Sequence, residues 1–328
     1  MSPASPGSPS TTPRPMGCAT SGRPPSLDHM ARAGAQVFSS DSTRAALGTA
    51  CARYGLNSAG AKLLRLGENA LYLLAEAPVV VRIARTRDYW ADAVKEVHVS
   101  RWLARYRYPA ARTYTVSQPI DADGHPVTFW RYIDGRDGSR EDIATLGHLL
   151  RRLHSLPSPT TFLLPTEDVL GRVEGRIEKA PIPSSDKDFL FGCCDRLNRE
   201  ISDLAFPLAP CVTHGDAHVN NLMMRDGEGV LIDFERFAWG QPEWDLAMTA
   251  TEYCSAGWWT DAEYAIFVDA YGFDVTRWSG FDVLRRVHEI KMTTWVMQNI
   301  EESDDIATEY LRRIGSIRTG VVGGWRAF

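Results

Sequence analysis

The stretch Thr213–Leu222, THGDAHVNNL, places two histidines, one aspartate and two asparagines in ten residues, and LIDFE follows at Leu231–Glu235. Three readings compete for it. Alternate residues of an extended segment point the same way, so His214, Asp216 and His218 could form a metal cage for hydrolysis. The stretch could equally be a phosphoryl-transfer loop, or only a polar turn between two strands.

Working outward, Asp216 precedes Asn221 by five residues, and the apolar runs NLMM and VLIDF on either side of RDGEG read as a short hairpin that supplies Asp233. Phosphoryl transfer needs a carboxylate to orient and deprotonate the attacking hydroxyl, and oxygen ligands to hold Mg²⁺ against the phosphates. Asp216, Asn221 and Asp233 are groups of that kind, since Mg²⁺ favours hard oxygen donors. Far upstream, VVVRIA puts Arg82 at the centre of an apolar strand, where an unpaired cation is costly. Glu96 shares a helical stripe with Val99 and Leu103, so its carboxylate points toward the packed side. One pair answers both anomalies. It reads either as a structural salt bridge or as the strand cation and helix carboxylate that grip nucleotide phosphates. The turn Gly67-Glu68-Asn69 could cover the phosphates with backbone N–H groups, or be an ordinary hairpin.

Residues 1–28 are dominated by Pro, Ser, Thr and Gly and predict a disordered tail; Met30, just beyond, is a candidate translation start. AKLLRL, ALYLLA and VVVRIA then predict three strands joined by tight turns. WADAVKEVHVSRWLARY predicts a helix with Val99, Leu103 and Tyr106 on one stripe, and RTYTVSQPI with PVTFWRYI predicts a hairpin around DADGH. The sum is about five strands and one long helix. From Gly135 the pattern turns helical, beginning with GSREDIATLGHLLRRLHSLP, in which Ser139 is a cap and Ile143, Leu146, Leu150 and Leu153 keep the helical period. The chain therefore reads as α+β, with an N-terminal lobe at 29–134, a larger and mostly helical C-terminal lobe at 135–328, and Trp130–Gly135 as the connector.

The 328 residues, 44% of them hydrophobic, suit a packed globule. A net charge of −5 without a long Lys/Arg run argues against nucleic-acid binding and suits a small cationic partner. The six cysteines lack zinc-type spacing and read as reduced thiols of a cytoplasmic protein. No apolar run is long enough for a membrane span.

HGDAHVNN followed by IDFE resembles the motif of the aminoglycoside phosphotransferase family, which also includes choline kinase-like enzymes: His-Gly-Asp, an Asn five residues after the Asp, then Ile-Asp-Trp/Phe-Glu. The resemblance extends to GENALYLL, VVVRIA, the helix of Glu96, LLRRLHSLP and PEWDLA, over roughly residues 60–250. It implies a two-lobed, protein-kinase-like fold and transfer of the γ-phosphate of ATP to a hydroxyl of a small molecule. By it, Asp216 is the catalytic base, Asn221 and Asp233 hold Mg²⁺, and Arg82 with Glu96 clamps the nucleotide, with Gly67 and Asn69 in the covering turn. Trp130 and Tyr132 fall in the hinge that holds adenine through backbone hydrogen bonds, His214 holds the loop, and Asp245 braces it. Arg82 departs from the commoner Lys, and the two are not interchangeable in bidentate contacts. His-Gly-Asp and Asp-Phe-Glu also differ from the protein-kinase forms, which favours a small-molecule acceptor.

The metal-hydrolase alternative with His214, Asp216 and His218 leaves Asn221, Asp233 and the Arg82/Glu96 pair without a role. A nucleotide-binding protein without turnover is the third alternative. Acceptor recognition is expected after residue 250, where Glu252, Tyr253, Trp258, Trp259 and Asp261 cluster and Glu301, Glu302, Asp304 and Asp305 form an acidic run. Those residues read either as a wall for a polyamine sugar, as in antibiotic resistance, or as core packing and a solvated helix end.

Overall fold

Alternation along the third strand sets up the site. In β3 (Val79–Ala84), Val79, Val81 and Ile83 are fully buried. Val80 and Arg82 therefore face the other side of the sheet, as the two-residue period of a strand requires. In this computed structural model, which describes residues 38–67, 69–321 and 323–327, β3 is the middle of a five-stranded antiparallel sheet. Its other strands are β1 (Lys62–Leu66), β2 (Asn69–Leu73), β4 (Ile120–Ala122) and β5 (His125–Arg131), in the order β1-β2-β3-β5-β4. Arg82 pairs with Leu71 of β2 and Thr128 of β5. The N-terminal tail and Met30 lie outside the described residues.

Two helices accompany the sheet, where the sequence pattern predicts one. Helix α1 (Ser40–Ala52) starts at a capping box between Ser39 and Ser42 and buries Ala46, Leu47, Ala50 and Cys51 with Tyr72, Val81 and Phe129 of the sheet. Its apolar stripe is made largely of small residues, which give a weak periodic signal. Helix α2 (Trp90–Arg105) buries Glu96, Val99 and Leu103, whereas Tyr106 caps its end and is exposed, so the predicted stripe stops one turn earlier. Val99, Trp102 and Leu103 join the core of the helical lobe, while the sheet and α1 enclose a second core.

The helical lobe comprises α3 (Ile143–His154), α4 (Val173–Lys179), α5 (Ser184–Ser202), α6 (Pro242–Thr251), α7 (Asp261–Tyr271), α8 (Phe281–Val296) and α9 (Asp304–Thr319). Ile143, Leu146, Leu150 and Leu153 of α3 are all buried. Two small sheets interrupt the helices. The short β6 (Arg136–Asp137) pairs with β8 (Leu222–Arg225), and β8 with β9 (Glu228–Leu231); β7 (Cys211–Thr213) pairs with β10 (Ala238–Gly240). The β8–β9 turn is Asp226-Gly227, both at positive φ, as a two-residue hairpin turn requires. Among the described residues no helix is long and apolar enough to cross a membrane.

Candidate active site

The hairpin β8–β9 brings together the two residues that flank it. Leu222 pairs with Leu231, and the Ile232 N–H donates to the Asn221 carbonyl at 3.0 Å, so Asn221 and Asp233 emerge at the same end. Asn221 Nδ2 donates to the Asp216 backbone carbonyl at 2.8 Å, which leaves its amide oxygen as the donor atom for a ligand. Asp233 is exposed and left-handed, with φ of 63°. An amide oxygen and a carboxylate at one hairpin end suit a hard divalent cation such as Mg²⁺.

The loop before β8 is held from below. The backbone N–H groups of His214 and Gly215 donate to Asp245 Oδ2 and Oδ1, each at 2.7 Å, and His154 Nε2 lies 2.9 Å from Oδ2. Burial opposes charge on Asp245, yet His154 and these N–H groups hold its carboxyl below the ordinary range. His214 Nε2 lies 2.9 Å from the Ile232 carbonyl, and its ring packs on Phe234 and Phe237. The His214, Asp216 and His218 cage is therefore not formed: His214 is committed to the hairpin, and among the described residues no three His, Cys, Asp or Glu side chains converge as metal ligands. His218 faces Asp216 instead, with Nε2 3.7 Å from Oδ2. Burial would raise the Asp216 carboxyl, but His218, Lys291 and His214 outweigh it and hold Asp216 well below the usual range.

Across the cleft, Arg82 forms ion pairs with Glu96 and, through Nη2 at 3.0 Å, with Glu235. Burial drives the Glu96 carboxyl up to about 7 against the pull of Arg82. Glu235 also pairs with Arg172, and its carbonyl accepts from Lys95 Nζ at 2.6 Å. A cavity of ≈ 390 Å³ opens on this face, lined by Asn69, Arg82, Glu96, Trp130, Tyr132, Asn221 and Asp233. Asn69 Oδ1 has no partner in its wall, an orphaned polar atom of the kind a bound ligand satisfies. Asp216 lies in an adjoining cavity of ≈ 300 Å³ that shares Asp233 and Glu235.

The sequence profile of the phosphotransferase enzyme family matches residues 63–281. The chain belongs to this family. Among solved structures, the amicoumacin kinase hAmiN, in complex with AMP-PNP, Ca²⁺ and Ami, is similar at 15% identity and a TM-score of 0.67, over 87% of this chain and 97% of that one. A choline/ethanolamine kinase family protein from Mesorhizobium loti is similar at 16% identity and a TM-score of 0.58, over 85% and 93%. The microcompartment-associated aminopropanol kinase is similar at 19% identity and a TM-score of 0.58, over 79% and 90%. No curated protein matches in sequence. The fold is kinase-like, an antiparallel-sheet N-lobe on a helical C-lobe.

Within this phosphotransferase fold, Gly67 is the predicted site residue that does not line either cavity. A Cβ there would meet open space, so nothing at that position requires glycine; Glu68 lies outside the described residues. At the hinge, the Arg131 and Tyr132 N–H groups are already bonded to the Arg112 and Pro78 carbonyls. Tyr132 therefore leaves its ring, not its N–H, free toward the cavity, and Trp130 Nε1 is bonded to Thr128. Ile133 also lines the cavity, and among the described residues its N–H has no backbone partner. Sequence reasoning missed Glu235, Lys95, Arg172, Arg236 and Lys291. Glu235 stood in the quoted LIDFE and Arg236 directly follows it; Lys95, Arg172 and Lys291 carry no local signal, because each reaches the site from an element remote from the motif in sequence. The acidic run at 301–305 is exposed at the start of α9, the solvated helix end of the two readings. Trp259 is core, with Nε1 bonded to Glu252 at 2.8 Å.

Proposed function

We propose that the protein transfers the γ-phosphoryl group of ATP to a hydroxyl of a small molecule, with Mg²⁺ as the divalent ion. The observation that carries this reading is the common end of one hairpin shared by Asn221 and Asp233, with Asp216 in the cavity next to it. The new bond joins the acceptor oxygen to phosphorus, the bond from phosphorus to the β–γ bridging oxygen breaks, and its electron pair leaves with ADP. The hydroxyl proton passes to Asp216. Asp216, whose carboxyl is held ionised beside His218, orients the hydroxyl and takes its proton late in a loose transition state.

Asn221 and Asp233 would hold Mg²⁺, which when bound neutralises charge on the phosphates. Arg82, positioned by Glu96, would meet the phosphates, while Trp130, Tyr132 and Ile133 would receive the adenine. The described residues of the 29–134 segment, from Phe38 on, would then form the nucleotide side of the enzyme and those of 135–328 the catalytic side. An ATP donor fits a cytoplasmic enzyme. Amicoumacin, choline or ethanolamine, and aminopropanol, named for the structural neighbours, support a small hydroxyl-bearing acceptor without fixing its charge, in either antibiotic inactivation or metabolism.

A coupled ADP-release screen over hydroxylated antibiotics, amino alcohols, sugars and hydroxy acids tests the reading. The expected result is Mg²⁺-dependent turnover that Asp216→Asn abolishes. Tight ATP binding with no turnover of any acceptor would instead establish a silent nucleotide-binding protein.

A further inference from the structure

We infer that the acceptor carries an anionic group, a carboxylate or a phosphate, seated between Lys291 and Arg236 beside Asp216. This rests on the phosphotransferase reading above and names the acceptor class within it. Lys291 of α8 and Arg236, just before β10, line the ≈ 300 Å³ cavity that holds Asp216. Both, with Arg172, also line an adjoining cavity of ≈ 220 Å³, so the cations stand at a junction of open spaces.

Their charge balance is unusual. Arg172 has Asp92 and Glu235 as ion-pair partners. Among the described residues neither Lys291 nor Arg236 forms an ion pair. Arg236 Nη2 donates to the Gly171 carbonyl at 3.1 Å, and the Lys291 ammonium sits 4.4 Å from the centroid of the Trp244 ring, which stacks on His288. A ring face attracts a cation but does not neutralise it. Burial, reinforced by Arg236, lowers the Lys291 amine to about 8, with Asp216 and Glu167 acting in the opposite sense. Glu167 lines the same smaller cavity, but burial pushes its carboxyl toward the neutral form, and neither it nor Asp216 forms an ion pair with the two cations among the described residues, so two partly buried cations stay incompletely balanced until a further anion joins them. A guanidinium is suited to a planar carboxylate or a phosphate, since it offers paired N–H donors.

Two other occupants fit less well. The triphosphate side of the cleft is walled by Arg82 and Arg65, and neither Lys291 nor Arg236 lines that cavity. A cationic acceptor would meet both cations, while the carboxylate on the acceptor side other than Asp216 and the Asp233–Glu235 pair is Glu252. Glu252 already accepts from Trp259 Nε1, and burial shifts it toward its neutral form. The net charge of −5 for the whole chain, which by itself suits a cationic partner, is thus locally reversed at this wall.

The test is a charge series of hydroxyl compounds on the full chain: glycerate and 4-hydroxybutyrate for carboxylates, glucose 6-phosphate for phosphates, glycerol and glucose as neutral, and choline and kanamycin as cationic. Turnover by ADP release should favour one anionic arm, and which arm responds separates carboxylate from phosphate. Lys291→Met and Arg236→Gln should each raise the acceptor KM by about tenfold or more while the ATP KM stays within about twofold, and Lys291→Arg should restore most of the loss. Unchanged melting curves keep the variants interpretable. Preference for choline, kanamycin or the neutral compounds overturns the inference, as does a Lys291→Met effect confined to ATP. Calorimetric titration with AMP-PNP and Mg²⁺ present reads binding of the same series without turnover. Binding of an anionic member that weakens in Lys291→Met sustains the inference even if the transfer reading fails, and absence of binding by every anionic member overturns it. Asp216→Asn, which should abolish turnover without abolishing that binding, tests the transfer reading separately.

Discussion

Asp216 and Gly215 show two different demands on adjacent residues. Asp216 needs a carboxylate held ionised, which the side chains of His218, in the same loop, and Lys291, from α8, favour. Asp216→Asn keeps the shape and removes the charge, so kcat in the coupled ADP-release assay is expected to fall by about 10²–10⁴-fold. Because the fold holds this carboxyl below its ordinary range, the variant should also melt somewhat below the parent at pH 7, a gap that closes as pH falls. Gly215 needs no chemistry but must have no side chain: its φ is +78° and a Cβ would collide with the Arg236 carbonyl. Gly215→Ala should therefore cost at least about 1 kcal/mol of unfolding free energy in a urea titration, with activity lost as the loop shifts.

At the scale of elements, the start of α3 shows how a sequence signal and a tertiary contact combine. Ser139 N–H and Oγ both donate to Asp142 Oδ2, and Arg136 from β6 pairs with the same carboxylate. The Arg136 contact, opposed by burial and helped by Ser139, brings the Asp142 carboxyl down to about 2. Its folded value lies below its unfolded value, so the stabilisation is fully present above the unfolded pKa near 4 and disappears as pH falls through about 2. Arg136 is more than half exposed, which limits the effect through solvent screening. Asp142→Asn is expected to lower stability by about 1 kcal/mol at pH 7, with the gap to the parent closing toward pH 2 in thermal melts across that range. The hairpin β8–β9 follows the same logic in reverse: its turn and apolar runs are local, but their consequence is the meeting of Asn221 and Asp233 at its open end.

At the scale of the molecule, Arg82 ties the sheet to α2 through Glu96 and to the segment after β9 through Glu235. Arg82→Met leaves both carboxylates without that cation and is expected to lower unfolding free energy by about 3 kcal/mol in guanidinium titrations. A nucleotide that bridges the lobes should act in the opposite sense. ATP with Mg²⁺ at about 100 times its Kd should stabilise the fold by about 2.7 kcal/mol, read as a higher melting temperature that EDTA reverses to the level of ATP alone. Much of this architecture was legible in the sequence: the apolar strand that obliges Arg82 to find an anionic partner, the stripe turning Glu96 inward, the α3 period and the spacing of Asp216, Asn221 and Asp233. These are local periodicities, and the backbone geometry that produces them repeats every two or 3.6 residues. Helix α1 was not legible because its buried face is mostly small residues. Nor was the commitment of His214 to Ile232, the loss of the Tyr132 N–H to Pro78, or the arrival of Lys291 and Arg236 beside Asp216. The sequence by itself determined the lobes and the phosphotransferase-family motif, whereas only the tertiary structure decided which charges share the cavity of Asp216. The physical reason is that Coulomb interaction depends on distance and burial in space, and neither is a function of separation along the chain.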